Sequence, residues 1–136
     1  IPGFMAQTGD PTGTGMGGSG TNLDAEFTDY EYRVGTVGMA RSSSPNSGDS
    51  QFFICFDGCG HLTGQYTVWG KVTEGMEHVG NLERGSRTNN GLVAEPDKID
   101  IHREKAGMQM AFGAFLLRLS ISLRIISASL ALIMKS

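Results

Sequence analysis

Apolar and polar positions alternate in short runs along most of the chain, and clusters of turn-forming residues separate the runs. Residues 1–7, I-P-G-F-M-A-Q, alternate over a span that predicts a strand. Glycines at 9, 13, 15, 17, 18 and 20 follow, a density that no regular element tolerates, so this stretch is loop. Tyr32, Val34 and Val37 with their flanking glycines predict short strands and turns. R-S-S-S-P-N-S-G-D-S (41–50) is a polar loop of turn formers. Q-F-F-I-C-F (51–56) is a compact aromatic and β-branched run, expected as a buried strand. Y-T-V-W-G-K-V (66–72) predicts a second strong strand. Residues 73–85 carry the one helical pattern before residue 106: Thr73 as N-cap, Glu74 and Glu77 in the first turn, Met76, Val79 and Leu82 at helical spacing, and Gly85 as the stop. In D-K-I-D-I-H-R-E (97–104), Ile99 and Ile101 alternate as in a last strand. Short strands with a single short helix make the chain mainly β, a barrel or sandwich.

Residues 106–136 change character: they are rich in apolar side chains and contain no acidic one. Phe112, Leu116, Leu119, Leu123, Ile126, Leu130 and Ile133 follow a 4-3 spacing that fits one helical face. Leu117, Ile121, Ile125 and Leu132 would then line the opposite side, leaving no polar face. R-L-S-I-S-L-R-I (118–125) alternates strictly and fits a strand equally well. The apolar stretch 108–134 exceeds the ~20 residues a membrane-spanning helix needs. Arg118 and Arg124 oppose that, at about 2.5–3.5 kcal/mol each near mid-bilayer against ~0.3–0.6 returned per Leu or Ile. The balance lies near zero. An appended apolar extension is therefore expected, with membrane contact through 108–134 as the alternative.

A length of 136 residues suits one domain with a real core. All 14 acidic groups fall within residues 1–105 beside 8 of the 11 basic ones, a net of −6, whereas the last 31 residues carry +3. A body of that sign excludes nucleic acid as the expected partner, because phosphate binding needs a cationic surface. Two cysteines rule out a disulfide-stapled miniprotein and favour a reducing compartment such as the cytoplasm. Gly13, Gly15 and Gly18 meet the G-x-G-x-x-G spacing of a dinucleotide site, but no helical period follows them and no Lys-Ser/Thr pair completes a phosphate loop. Cys55, Cys59 and His61 form C-x3-C-x-H without the second half of a zinc site. Cys55, inside an apolar run, is expected to act as a small free hydrophobe. No metal or cofactor is expected.

Four segments taken together are more specific: P-G-F-M-A-Q with the G-D that follows (2–10), G-T-V-G-M-A (35–40), P-N-S-x-x-S-Q-F-F-I (45–54) and G-Q-Y-T-V-W-G-K-V-x-E-G-M (64–76). In order and spacing this constellation resembles the cyclophilins, the peptidyl-prolyl cis-trans isomerases, and most closely their small bacterial-type members. The resemblance covers residues 1 to about 105 and leaves 106–136 as an apolar, basic tail. It implies a cyclophilin-like antiparallel β-barrel, incomplete at the N-terminus and without its opening strands and first helix.

The implied chemistry suits these residue types. An X-Pro bond turns over a barrier of ~18–20 kcal/mol, so free exchange takes about 10–100 s. An enzyme needs no covalent step; it holds the proline ring in an apolar notch and stabilises the twisted amide better than the planar one. By resemblance Phe4, Met5, Phe53 and Leu62 match the proline-binding residues, and Gln7 and Gln51 hold the substrate backbone with their amides. Among these, Gln7 and Phe4 take the catalytic part. Ala40, Arg41 and Ser42 fall on the segment that pairs with the bound peptide, and Gly15 lies in the glycine loop beside the groove. His61 and Tyr66 stand where better-known members often carry Trp and His. Phe52, Ile54, Val68 and Trp69 are expected to be core alone. The implied partners are proline-containing peptides and unfolded chains, with cyclic-peptide inhibitors as a further ligand class. The family's donor to the prolyl nitrogen is an arginine in an F-H-R segment directly upstream of I-P-G-F-M, and the sequence begins at Ile1. Two outcomes therefore stand: an isomerase, or a module that binds proline peptides with little turnover.

Overall fold

The computed structural model describes residues 1–104, 107–112 and 115–121, those from 100 onward by their strands alone. Among the described residues seven strands form one antiparallel sheet: β1 (Met5–Thr8), β2 (Thr36–Met39), β3 (Phe52–Cys55), β4 (Val68–Glu74), β5 (Ile99–Glu104), β6 (Gly107–Phe112) and β7 (Phe115–Ile121). Their order across the sheet is β1-β3-β2-β4-β7-β6-β5, so among the described residues the sheet is open, with β1 and β5 at its ends. The chain is mainly β, as its sequence pattern predicts, and antiparallel, as the family resemblance implies.

β3 organises the core. It lies between β1 and β2, and all four of its side chains are buried. Successive side chains of a strand point to opposite faces, so Phe52 and Ile54 enter one cluster while Phe53 and Cys55 enter another. The first cluster joins them to Val37, Trp69, Val72 and Val79, with Phe52 edge-on to Trp69 at 5.1 Å between centroids. The second gathers Met5, Tyr32, Phe53, Cys55, Cys59 and Leu62. Phe52, Ile54 and Trp69 thus occupy the first cluster, whereas Val68 packs against the second.

Three sequence expectations change. The helix predicted over 73–85 is a single turn, α1 (Met76–Val79). Thr73 is not its N-cap, because β4 keeps pairing through Glu74, opposite Arg118 of β7, and Gly75 at φ +87° then turns the chain. Gly85 does not end it; Gly80 does, donating its N–H to Met76 O at 3.1 Å. Cys55 is not a free thiol: it forms a disulfide with Cys59, their Cα atoms 6.2 Å apart, inside the 4.4–6.8 Å range a bridge requires. The strand at 99–104 is not the last. β6 and β7 follow it, so Phe112, Leu116 and Leu119 lie in strands rather than along a helical face, and the alternating pattern prevails over the 4-3 spacing up to Ile121. The remainder of that stretch, 122–136, lies outside the described residues. Among the described residues no helix is long and apolar enough to cross a membrane.

Candidate functional site

The second core cluster gathers residues of β1, β3 and the turn Gly60–Leu62. β1 brings Met5 to it and the residue before β1 brings Phe4; β3 brings Phe53, and the turn brings Leu62, with His61 beside Phe4. Met5, Phe53 and Leu62 are buried; Phe4, Ala40 and Tyr66 pack against them, half-buried. Phe4 stacks on the His61 ring at 5.5 Å and 22°, and Tyr66 meets Phe53 edge-on at 5.7 Å and 84°. The His61 ring is fixed from behind by a contact of 2.9 Å between Nδ1 and Gly58 O. These side chains form one apolar and aromatic cluster, the notch, with the Phe4–His61 and Tyr66–Phe53 ring pairs in it.

Two carboxamides flank the notch. Gln7 lies directly opposite Phe53 in the β1–β3 register, and Gln51 immediately precedes β3. Gln7 Nε2 donates to Gln51 Oε1 at 2.8 Å. Gln51 Nε2 donates to the carbonyls of Gly15 at 3.2 Å and Gly17 at 2.7 Å. Since those carbonyls can only accept, the orientation of both amides follows: Gln51 turns its nitrogen to the loop, and Gln7 keeps its oxygen and one N–H for other partners.

Past β2, the segment 40–42 borders the same notch. Ala40 N–H donates to Gln51 O at 3.0 Å, which ties the segment to the strand that carries Phe53. The Arg41 guanidinium lies 4.4 Å from the Tyr66 ring centroid and 5.8 Å from that of Phe27. It also donates through Nε and Nη2 to Gln65 O, at 3.2 and 2.9 Å, and through Nη1 to Ser42 O at 3.0 Å. Ser42 itself is held by Ser47, through its N–H at 2.9 Å and its hydroxyl at 2.8 Å. Of the twelve residues expected from sequence, the structure brings ten together around this cluster and the Gln7–Gln51 pair, and connects Gly15 through the loop and Ser42 through Arg41.

The glycine run does not present its N–H groups to a phosphate. Asp10 takes them instead: the backbone N–H groups of Thr12, Thr14, Gly15 and Gly17 donate to its carboxylate at 2.8, 3.0, 2.7 and 3.0 Å. Asp49 receives the next pair, from Ser19 at 2.8 Å and Gly20 at 2.9 Å, together with the Ser19 hydroxyl. Burial works to raise both carboxyl groups, but the hydrogen bonds from Thr12, Gly17 and Gly15 hold Asp10 well below the ordinary carboxylate range, and those from Ser19, Gly20 and Ser50 lower Asp49.

Two residues of the site escaped the sequence pattern. Tyr32 is buried beneath the notch, stacked on Phe53 at 5.7 Å and 24°, and its hydroxyl donates to Tyr66 O and Thr67 O at 3.2 Å each. Burial, and then the neighbouring Tyr66, push its phenol far above the ordinary value. Gly38 lies opposite Phe53 in β2, where a side chain would run into Tyr32 and Phe53. A glycine inside an otherwise apolar strand was the available signal, since it marks a close approach.

On the antiparallel sheet, an aromatic cluster and a hydrogen-bonded pair of amides thus lie side by side. The profile of the cyclophilin type peptidyl-prolyl cis-trans isomerase/CLD family matches residues 1–103, and the chain belongs to that family. It is 51% identical over 111 residues to a probable peptidyl-prolyl cis-trans isomerase of Brucella abortus, covering 73% of this chain and 57% of that protein. It is 47% identical over 89 residues to the human peptidyl-prolyl cis-trans isomerase-like 3, covering 62% and 55%. The chain thus spans just over half the length of the curated relatives it matches. A solved cyclophilin type isomerase of Cryptosporidium parvum, crystallised in the presence of the dipeptide Ala-Pro, superposes with a TM-score of 0.56 at 38% identity, over 63% of this chain and 60% of that one.

Proposed function

We propose that this chain binds X-Pro segments of peptides and unfolded proteins and catalyses rotation about the X-Pro bond. The observation that carries this is the Gln7–Gln51 carboxamide pair, hydrogen-bonded at 2.8 Å beside the Phe4, Met5, Phe53 and Leu62 notch. The notch takes the pyrrolidine ring, whose burial anchors the substrate at the atom about which rotation occurs. Gln7, with its free oxygen and remaining N–H, holds the adjoining backbone. Segment 40–42 offers an extended edge for the residues that precede proline, as a strand added to the sheet would. Rotation needs no nucleophile and no proton transfer; it needs the ring held while the flanking backbone turns and the twisted amide favoured over the planar one.

The test is a protease-coupled isomerisation assay on a short Ala-Pro peptide. The expected result is exchange faster than in buffer, with the rate proportional to protein and cut at least tenfold by Phe53→Ala. Exchange at the buffer rate at every concentration, with no binding in a parallel peptide titration, overturns the proposal. Binding without acceleration would restrict the function to recognition. Membership of a family whose members act on this bond supports the reading, as does the crystallisation of the Cryptosporidium relative with Ala-Pro.

A further inference from the structure

We infer that Asp10, outside the notch, is a positioning residue for it: through the loop 12–17 it sets the orientation of Gln51 and, through Gln51, that of Gln7.

The connection is continuous. Asp10 follows β1 directly after Gly9, so it is anchored to the strand that carries Gln7. Its carboxylate accepts four backbone N–H groups of residues 12–17, and the hydroxyls of Thr12 at 2.8 Å and Thr14 at 3.2 Å. The Cα of Gly17 packs on Asp10 and Thr12 so closely that no side chain fits between them. The loop is thus wound around one acceptor, its N–H groups inward. Two of its carbonyls, Gly15 and Gly17, face outward and receive both N–H groups of Gln51 Nε2. Gln51 then has its oxygen left for Gln7 Nε2.

An amide side chain has two orientations of similar shape and opposite hydrogen-bonding sense, and the network around it decides which is populated. Here the decision originates in the loop. If Gly15 and Gly17 lost their places, Gln51 could turn over, present its nitrogen to Gln7 and force Gln7 to offer its oxygen inward. The group that Gln7 shows to a peptide would then be the wrong one. Asp49 serves as the internal contrast, because it ties down Ser19 and Gly20 of the same loop but makes no hydrogen bond to the residues whose carbonyls hold Gln51.

The test compares Asp10→Asn with Asp49→Asn in the full chain. Asparagine replaces one acceptor oxygen of Asp10 with a donor that faces the loop N–H groups. Two readouts are used. The first is the side-chain amide signals of Gln7 and Gln51 in nitrogen–proton correlation spectra, which need no ligand. Asp10→Asn should move both pairs of signals, and Asp49→Asn neither. The second is the affinity for an Ala-Pro peptide, which rests on the proposed function. Asp10→Asn should weaken it about tenfold, the scale of one lost hydrogen bond, and should have no further effect in a Gln51→Ala background. Asp49→Asn should leave it within about twofold.

Unmoved amide signals in Asp10→Asn overturn the inference, as do equal losses of affinity in the two variants or an undiminished effect of Asp10→Asn without Gln51. Should the unmodified chain bind no proline peptide, the proposed function fails by itself, and the amide signals still decide the role of Asp10.

Discussion

Replacing Gly38 by alanine tests the notch from behind, by displacing Phe53 without replacing any residue that would meet a substrate. Gly38 sits in β2 opposite Phe53, and its backbone is not in the left-handed region, so alanine meets no conformational obstacle there. The obstacle is steric. An added Cβ would lie 2.5 Å from Phe53 Cζ and 2.9 Å from Tyr32 Cε1, and would overlap the Tyr32 hydroxyl, where ordinary contact needs 3.4–4 Å. The Phe53 ring must therefore retreat by about 1 Å, as overpacked rings do. It has little room to do so: it is 1% exposed, with Tyr32 stacked on one side and Tyr66 edge-on. Tyr32 is pinned in turn by its hydrogen bonds to Tyr66 O and Thr67 O. Overpacking of this kind costs about 1–3 kcal/mol, and each kcal/mol lowers the melting temperature of a domain of 60–100 residues by about 4–8 °C. Thermal melting and an Ala-Pro peptide titration, run beside Gly60→Ala, measure both consequences. Gly60 has open space around it and an ordinary backbone, so that control should melt at or slightly above the unmodified chain. Gly38→Ala should melt lower and bind the peptide more weakly. If it melts and binds like Gly60→Ala, the packing of Gly38, Tyr32 and Phe53 described above is wrong.

Further outcomes follow from the loop, the rim and the cysteines. The Asp10 and Asp49 carboxyl groups are lower in the folded chain than their unfolded value near 3.9, so the stability they contribute is complete above about pH 4 and is lost only as pH falls through the lowered values. The amide signals of Gly15, Gly17 and Gly20 should therefore stay constant from pH 7 to about pH 4; a transition centred on an ordinary aspartate value contradicts this. Arg41→Ala should weaken peptide binding by about two- to fivefold, since a stacked guanidinium contributes ~0.5–1 kcal/mol at an exposed site, and Arg41→Lys should not restore it, because an ammonium can neither lie flat on Tyr66 nor reach Gln65 O through two nitrogens. Unchanged affinity in Arg41→Ala would remove Arg41 from the rim. Alkylation of the unfolded, unreduced chain should label neither cysteine, and reduction should lower stability by less than the ~3 kcal/mol of a 15-residue loop, because the Cys55–Cys59 bridge spans a sequence separation of only 4. Two labelled thiols would contradict the disulfide.

How much of this was legible in the chain depended on the range of the interaction that fixed each feature. β3 was plain, since four consecutive apolar side chains buried on both faces leave an unbroken run. The loops at 9–20 and 41–50 were equally plain from glycine and turn chemistry. The helix at 73–85 was overextended because Thr73 and Glu74 look like a cap and first turn by local rules; pairing of β4 with β7, a neighbour more than 40 residues away in sequence, claims them for the sheet. The same pairing selects strand over helix at 115–121, where periodicity alone fitted both. In the site, Gln7 and Gln51 emerged only from the joint motif, because neither differs locally from a strand-edge glutamine. Asp10 was visible as a residue but not as the centre of the loop, since its role depends on where four later N–H groups turn. The contact of Tyr32 with Phe53 and the placement of Arg41 on Tyr66 join segments over 20 residues apart, and no local pattern encodes them.

The proposed function requires Phe4, Met5, Phe53 and Leu62, with Gln7 and Gln51 beside them, to form one recess that holds the ring and backbone of an X-Pro unit. Titration of the isotope-labelled chain with an Ala-Pro peptide, followed residue by residue in nitrogen–proton and methyl spectra, addresses it most directly. Saturable shifts are expected at Met5, Leu62, Ala40 and both glutamine side chains, together with exchange cross-peaks between the cis and trans forms of the peptide. Shifts scattered over β4 and α1, or none at all at a saturating peptide concentration, would contradict it.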